Sequence, residues 1–443
     1  MKAIPILFVA FSLQAEERVL PITQFSSTQD IQEIATIVRA ILEIREVSVD
    51  GNSLRVNVEG PQITAAEWLV SELDRPSGRS EHVLSEDDRV RILDFKTADQ
   101  PQQLQEAATT VRSISEIRRL FTFNAPRRIV VRGSKDQMEQ AAWMLTQLGA
   151  TVSDPVEMKI SNTQVLRMYT LPQYKPFQDL QEAATVLRST ASIRYAFTYN
   201  PNQKLALRGS PSDMAVVDFL LKEFDRAGDS GTTHRIQRGS GVSVRVLDAS
   251  SASDGATLQN RATVIRSILN APQVYGFSSR KKIAIRGYQD DIELAEWMIG
   301  SQASKPDFDL GAVREFRLPF ANGSMEFQEA ATVARSLGEI GRIVAQNETK
   351  SVFVRGHQAE LDLASWVFGQ LASKANGETK YGADTVKVFF LDPASVTVQQ
   401  LQQTVARVRG ETKIPRMFTY NASRAIFVRG TAEQVARAEV LLK

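Results

Sequence analysis

A glycine closing an apolar run recurs six times along the 443 residues, at Gly60, Gly133, Gly209, Gly287, Gly356 and Gly430. The runs read LRVNVEG, RIVVRG, KLALRG, KIAIRG, SVFVRG and AIFVRG, and the glycines are spaced by 73, 76, 78, 69 and 74 residues. A second marker keeps step: Arg39, Arg112, Arg188, Arg266, Arg335 and Arg409 each stand 21 residues before their Gly. Two residue types at one fixed offset in six places mark an internal repeat. That repeat limits the available folds more than any other property of the chain.

The second copy shows what one repeat contains. VRILDF (Val90–Phe95) alternates apolar and polar residues and predicts a strand. Leu104, Ala107, Ala108, Val111 and Ile114 follow helical spacing and form one apolar stripe. RRLFTFN and IVVRG are β-rich runs about a polar turn at Asn124-Ala125-Pro126, a predicted hairpin; in the first copy the turn is Asp50-Gly51. Beyond the Gly, Ser134, Ser210 and Thr431 suit an N-cap. Gln137 and Gln434 follow three residues on as in a capping box, and Pro211 takes a first helical position. The helix that follows in the second copy is expected to bury Met138, Ala141, Ala142, Leu145 and Leu148.

The expected fold is α+β, a tandem array of six small β-α-β-β-α modules of KH-like topology, each a three-stranded sheet with two helices. Their expected bounds are residues 16–76, 89–150, 162–227, 242–303, 312–374 and 384–443. SGRSEHVLSEDD, GDSGTTHRIQRGSG and ANGETKYGA read as polar linkers. A module of this size encloses little core, so neighbouring copies or partner chains are expected to supply further burial.

The N-terminus, MKAIPILFVAFSLQAEE, has the layout of a signal peptide over residues 1–15. Lys2 gives the positive start, Ala3–Leu13 the apolar stretch and Ala15 the small residue for cleavage, which predicts an exported, periplasmic protein. No later apolar run approaches the roughly 18 residues of a membrane span. Cysteine is absent, which excludes disulfides, thiolate metal ligands and a cysteine nucleophile. The 53 basic and 51 acidic residues are interspersed, so no field draws in nucleic acid.

The element order, the apolar third strand, its closing Gly and the Ala/Trp-rich second helix resemble the periplasmic N-domains of secretins. More broadly they are similar to the ring-building modules of secretion and spore-assembly machines. The resemblance spans all six copies. It implies an exported, non-enzymatic module whose sheet and helix faces pack against neighbours in stacked rings. Secretins continue into a long β-rich pore domain, whereas this sequence stops within the sixth copy at Lys443. The resemblance therefore implies a scaffold or adaptor, accessory to a secretion or pilus-type envelope machine, that contacts protein partners or copies of itself.

The candidate docking residues are Trp68, Trp143, Phe219, Trp297 and Trp366, at one position of the second helix, with Val440 there in the last copy. This position lies about 140° from the core stripe, and a large apolar residue pointing away from its own core needs another surface to cover it. On the third strand Val130, Ala206, Ala284, Phe353 and Phe427 face away from the buried Ile/Val positions, as in strands covered on both faces.

Arg132, Arg208, Arg286, Arg355 and Arg429 precede the Gly in five copies, and Glu59 does so in the first. Beside a helix N-terminus such an Arg is a candidate anion contact. It equally suits a strand end, with its stem over the sheet and its head on a nearby acid. The anion reading gives the alternative function, a periplasmic binding protein for cell-wall glycan or another small anionic ligand. The helical arginines are expected to pair with Glu43, Glu116 and Glu339, four residues on.

His82 and His234 fall in the linkers and His357 in the helix-cap slot. No nucleophile–base–acid set and no metal-ligand spacing recurs, so no catalytic residue, metal or cofactor is expected. Gly338-Glu339-Ile340-Gly341 fits the GxxG pattern of nucleic-acid-binding KH modules, but it is acidic, occurs once and precedes a predicted strand.

Overall fold

The computed structural model describes residues 16–77, 80–151, 154–236, 241–269, 271, 273–300 and 312–443, so the expected signal peptide lies outside the described residues. The chain divides into two compact units, Met1–Val217 and Asp218–Lys443.

The first unit opens with β1 (Glu16–Pro21), α1 (Thr28–Leu42), β2 (Glu46–Asp50), β3 (Ser53–Val58) and α2 (Pro61–Leu73). The second module is β4 (Ser80–Ser85), β5 (Asp88–Asp94), α3 (Pro101–Ile114), β6 (Arg119–Phe123), β7 (Arg128–Gly133) and α4 (Lys135–Gly149). The third is β8 (Val156–Lys159), β9 (Val165–Thr170), α5 (Phe177–Thr190), β10 (Tyr195–Tyr199), β11 (Lys204–Gly209) and α6 (Pro211–Asp225), and the division of the chain falls within α6.

The second unit repeats the order. The fourth module is β12 (Thr233–Arg235), β13 (Val242–Asp248), α7 (Gly255–Ile268), β14 (Gln273–Phe277), β15 (Lys282–Tyr288) and α8 (Gln289–Met298). The fifth is β16 (Ala312–Arg317), α9 (Ser324–Gly338), β17 (Arg342–Gln346), β18 (Ser351–Gly356) and α10 (Gln358–Ser373). The sixth is β19 (Gly377–Tyr381), β20 (Asp384–Phe390), α11 (Val398–Thr412), β21 (Arg416–Tyr420), β22 (Ala425–Gly430) and α12 (Ala432–Leu442).

Among the described residues there are six antiparallel sheets, and in each the strand that ends near the recurring Gly is central, as in β1-β3-β2 and β4-β5-β7-β6. Four of them hold four strands where three were expected, because β4, β8, β12 and β19 pair on the outer edge of the first strand. Three of these strands lie in stretches that read as linkers. An edge strand covered on one face keeps polar side chains on the other, so its composition resembles that of a loop.

The helix starts follow the cap residues. Ser134 accepts from the Gln137 N–H while Gln137 returns to the Ser134 N–H, and Thr431 with Gln434 does the same. The His357 N–H donates to Glu360 at 2.6 Å. The glycine before two of these caps leaves room for the capping side chain. A Cβ on Gly133 would come within 2.4 Å of Gln137 Oε1, and one on Gly356 within 2.4 Å of Glu360 Oε2.

Four of the cores are completed by the next module's sheet. The first core, built on Ile34, Ile41, Leu54 and Leu69, also takes in Val90, Ile92, Phe123 and Val130 from the second module. The second core includes Leu166, Met168, Tyr199 and Ala206 from the third. In the other unit the fourth core holds Val313 and Phe353, and the fifth holds Val386, Val388, Tyr420 and Phe427. The sixth core is drawn from its own module alone. Central strands such as β7 and β18 are therefore buried on both faces over Arg128–Val131 and Ser351–Val354. Antiparallel sheets usually leave one face to water; here the next sheet roofs the helices of the module before it.

Candidate functional site: the junctions between modules

Four junctions within the two units share one arrangement, formed where the first helix of a module meets the sheet that follows. The strand-end arginines reach across it. Arg132 donates to the Ile41 carbonyl at 2.7 Å, Arg208 to Ile114 at 3.1 Å, Arg355 to Ile268 at 3.2 Å and Arg429 to Leu337 at 2.5 Å. Each acceptor lies at or within a residue of the end of α1, α3, α7 or α9, where backbone carbonyls lack helical partners and the helix dipole is negative. Arg286 occupies the matching place on β15.

Acids complete the arginine shells. Asp88 takes a two-pronged contact from Arg132 at 2.9 and 2.6 Å, and Asp384 takes a single hydrogen bond from Arg429 Nε at 2.8 Å. Burial pushes the Arg355 guanidinium below its usual range, with nearby Arg342 acting in the same direction. Glu59 stands where there is no earlier helix end among the described residues for a strand-end Arg to cap.

The helical arginines do something other than expected. Arg39 donates to the Val47 carbonyl, Arg112 to Leu120, Arg188 to Ala196, Arg266 to Val274, Arg335 to Ile343 and Arg409 to Met417. Each acceptor lies eight residues on, in the edge strand of the same module. The glutamates expected as i,i+4 partners turn the chain instead, at φ 57° for Glu43, 54° for Glu116 and 54° for Glu339. That turn aims them at the next module: Glu43 pairs with Arg119, Glu116 with Arg208 at 3.2 Å, and Glu339 with Arg416 at 2.5 Å. The αL turn carries the carboxylate off the helix face that holds its Arg, so i,i+4 pairing is lost. Tyr195 also donates to Glu116, which holds that carboxyl below the usual range; burial opposes this and Arg208 assists.

A further acid went unnoticed in the sequence. Glu33 accepts from the Asn124 N–H at 3.1 Å, Glu106 from Asn200 at 2.7 Å and Glu329 from Asn421 at 2.9 Å. Each bond ties the middle of one helix to the hairpin turn of the following module. Burial raises all three carboxyl groups above their usual range, and the asparagine hydrogen bonds oppose the rise. The signal was available: Glu stands six residues before the helical Arg at positions 33, 106, 182 and 329.

The second-helix aromatics meet the same sheets. Trp68 stacks on His82 of β4 with centroids 5.1 Å apart, and Phe219 lies 5.3 Å from His234 of β12. Trp143 is half-buried against the core shared by the second and third modules. Trp297 meets Phe353 edge-on at 6.0 Å, and Trp366 meets Phe427 edge-on at 6.2 Å. Arg128, fully buried, caps α2 through the Glu72 and Leu73 carbonyls and pairs with Asp94 at 3.1 Å. The Gly338–Gly341 stretch closes α9 and leads into β17.

Among the described residues no cluster of three His, Asp or Glu side chains is placed to hold a metal, and no helix is long and apolar enough to cross a membrane. What the junctions do chemically is fasten: they satisfy helix-end carbonyls, neutralise charge pairs and cover apolar area.

No protein-family model and no curated protein matches the chain. Solved structures similar in part include the ETEC pilotin–secretin AspS–GspD complex, at 14% identity over 49% of this chain and 39% of that one, with a TM-score of 0.13. The type II secretion system secretin GspD of E. coli K12 is similar at 11% identity, 49% and 40% coverage and a TM-score of 0.13. Aeromonas hydrophila ExeD is similar at 12% identity, 87% and 75% coverage and a TM-score of 0.13. The chain thus covers about two fifths of the first two proteins. At these scores the folds do not superpose as whole chains.

Proposed function

We propose that this chain is an exported, non-enzymatic scaffold, accessory to a secretion or pilus-type machine of the cell envelope. Six secretin-N-domain-like modules, over residues 16–76, 89–150, 162–227, 242–303, 312–374 and 384–443, present a fixed surface to protein partners. Trp68, Trp143, Phe219, Trp297 and Trp366 act as the apolar docking residues. One observation carries this reading: the markers that recur through the sequence are spent on building modules and joining them. Residues repeated to hold a shape suit a protein whose product is a surface.

The test is crosslinking in the intact envelope with tagged wild-type chain, followed by capture and identification. The expected result is a defined envelope-machine protein in constant ratio to the chain, reduced when Trp143, Trp297 and Trp366 are changed together to Ala. Recovery of wall fragments instead, lost with Arg132→Ala and Arg429→Ala, would overturn it.

A further inference from the structure

Docking from one module to the next depends on two faces that can be compared along the chain. The first is a row on the first helix, at six and two residues before the helical Arg and two after it. It reads Glu33-Ile37-Ile41, Glu106-Thr110-Ile114, Glu182-Val186-Thr190, Asn260-Val264-Ile268 and Glu329-Val333-Leu337 in the first five modules. At the four junctions within the units, the last two residues of each row are no more than 2% exposed. In the sixth module the row is Gln403-Arg407-Glu411, and all three are exposed.

The second face is the outward row of the central strand. From the second module on it is Arg128-Val130-Arg132, Lys204-Ala206-Arg208, Lys282-Ala284-Arg286, Ser351-Phe353-Arg355 and Ala425-Phe427-Arg429. In the first module it is Arg55-Asn57-Glu59, all exposed. The polar groups there satisfy each other across the strands: Arg55 bonds Glu17 at 2.7 Å and Asp50 at 2.5 Å, and Asn57 bonds Glu46 at 2.8 Å. The aromatic position of the second helix changes in step, to Val440, which is 77% exposed.

We infer that the docking series is closed at both ends by residues on these faces, so that copies of the chain do not stack head to tail. The helix row of the sixth module has lost the two apolar residues that every other row keeps at those positions or replaces once by Thr. An incoming sheet would have to desolvate Glu411 and Arg407, which donates to the Leu441 carbonyl at 3.3 Å, in place of an apolar pair. The strand row of the first module has lost both the apolar residue and the Arg that reaches a helix-end carbonyl, and Glu59 would face the negative end of that helix. Repeat arrays need polar outer faces on their terminal units to stay soluble. The inference concerns the end faces alone and is independent of where the chain works.

The absence of cysteine allows a direct test. Asn57→Cys in one full-length chain and Arg407→Cys in another report head-to-tail stacking through an intermolecular disulfide. A second pair transplants the internal pattern: Gln403→Glu, Arg407→Val, Glu411→Ile and Val440→Trp on the helix side, with Asn57→Val and Glu59→Arg on the sheet side. Sedimentation velocity is run on each folded chain and on the mixture. The expected result is no 57–407 crosslink in the otherwise native chains, and a one-to-one complex of the transplanted pair at least about tenfold tighter than the native pair. A native 57–407 crosslink would overturn the inference. So would failure of the transplanted chains to associate while circular dichroism shows them folded.

Discussion

At the scale of single residues, one arginine decides more than its position suggests. Arg429 spans a strand end, a helix end of the preceding module and two acids, with 9% of its side chain exposed. Replacing it by Ala leaves the Leu337 carbonyl without its charged donor and Asp384 with Arg416 alone, at 3.7 Å, at a cost of about 1.5–3 kcal/mol in urea unfolding. Lys recovers only part, since one ammonium cannot match the forked geometry. Glu59→Arg, with no helix end to cap among the described residues, is expected to change stability by less than about 0.5 kcal/mol.

The junction glutamates add a pH dependence with a definite sign. Burial raises the Glu106 carboxyl, so folding favours its neutral form. That contribution is present below the unfolded pKa and is lost as pH rises through the raised folded value. Glu106→Gln keeps an acceptor for Asn200 and removes the charge. Its stability relative to wild type should therefore improve as pH rises from about 4 to 7, read as a shift in urea midpoint; an unchanged difference across that range would contradict the assignment.

The individual elements were largely visible in the sequence, and the exceptions have physical causes. Helices with one apolar stripe, hairpins with polar turns and capped helix starts all follow from local rules that a linear pattern records. The strands β4, β12 and β19 were hidden because an edge strand needs only one covered face. Their partners, Trp68 and Phe219 among them, lie in the preceding helix. The central strand is the element that joins the modules. Phe427→Ala removes a fully buried ring and should cost about 3–5 kcal/mol, while Asn57→Ala at the matching place on the exposed face of β3 should cost less than about 0.5. Arg112 guards a different feature, the open carbonyl of Leu120 on an edge strand. Arg112→Ala should show itself less in melting than in concentration-dependent aggregation, because a bare edge pairs with other chains.

For the whole molecule, cores shared between neighbours mean that stability within a unit is coupled along the array. Phe427 belongs to the sixth module but completes the core under α9 and α10. Hydrogen exchange after Phe427→Ala should therefore quicken in those two helices as well as around β22. Quickening confined to the sixth module would show that the shared core carries no coupling.

The sequence by itself determined the repeat, the order of the five elements common to all six modules, the caps and the existence of an unexplained apolar side on the second helix and third strand. These are consequences of periodicity and short-range chemistry, which a chain carries in its order. Only the tertiary structure decided where the arginines point. Arg132 finds the Ile41 carbonyl 91 residues earlier, and Glu43 leaves its own helix face to meet Arg119, 76 residues on. No local rule links such positions, because the acceptors are helix-end carbonyls common to every sequence and become available only when two modules are stacked.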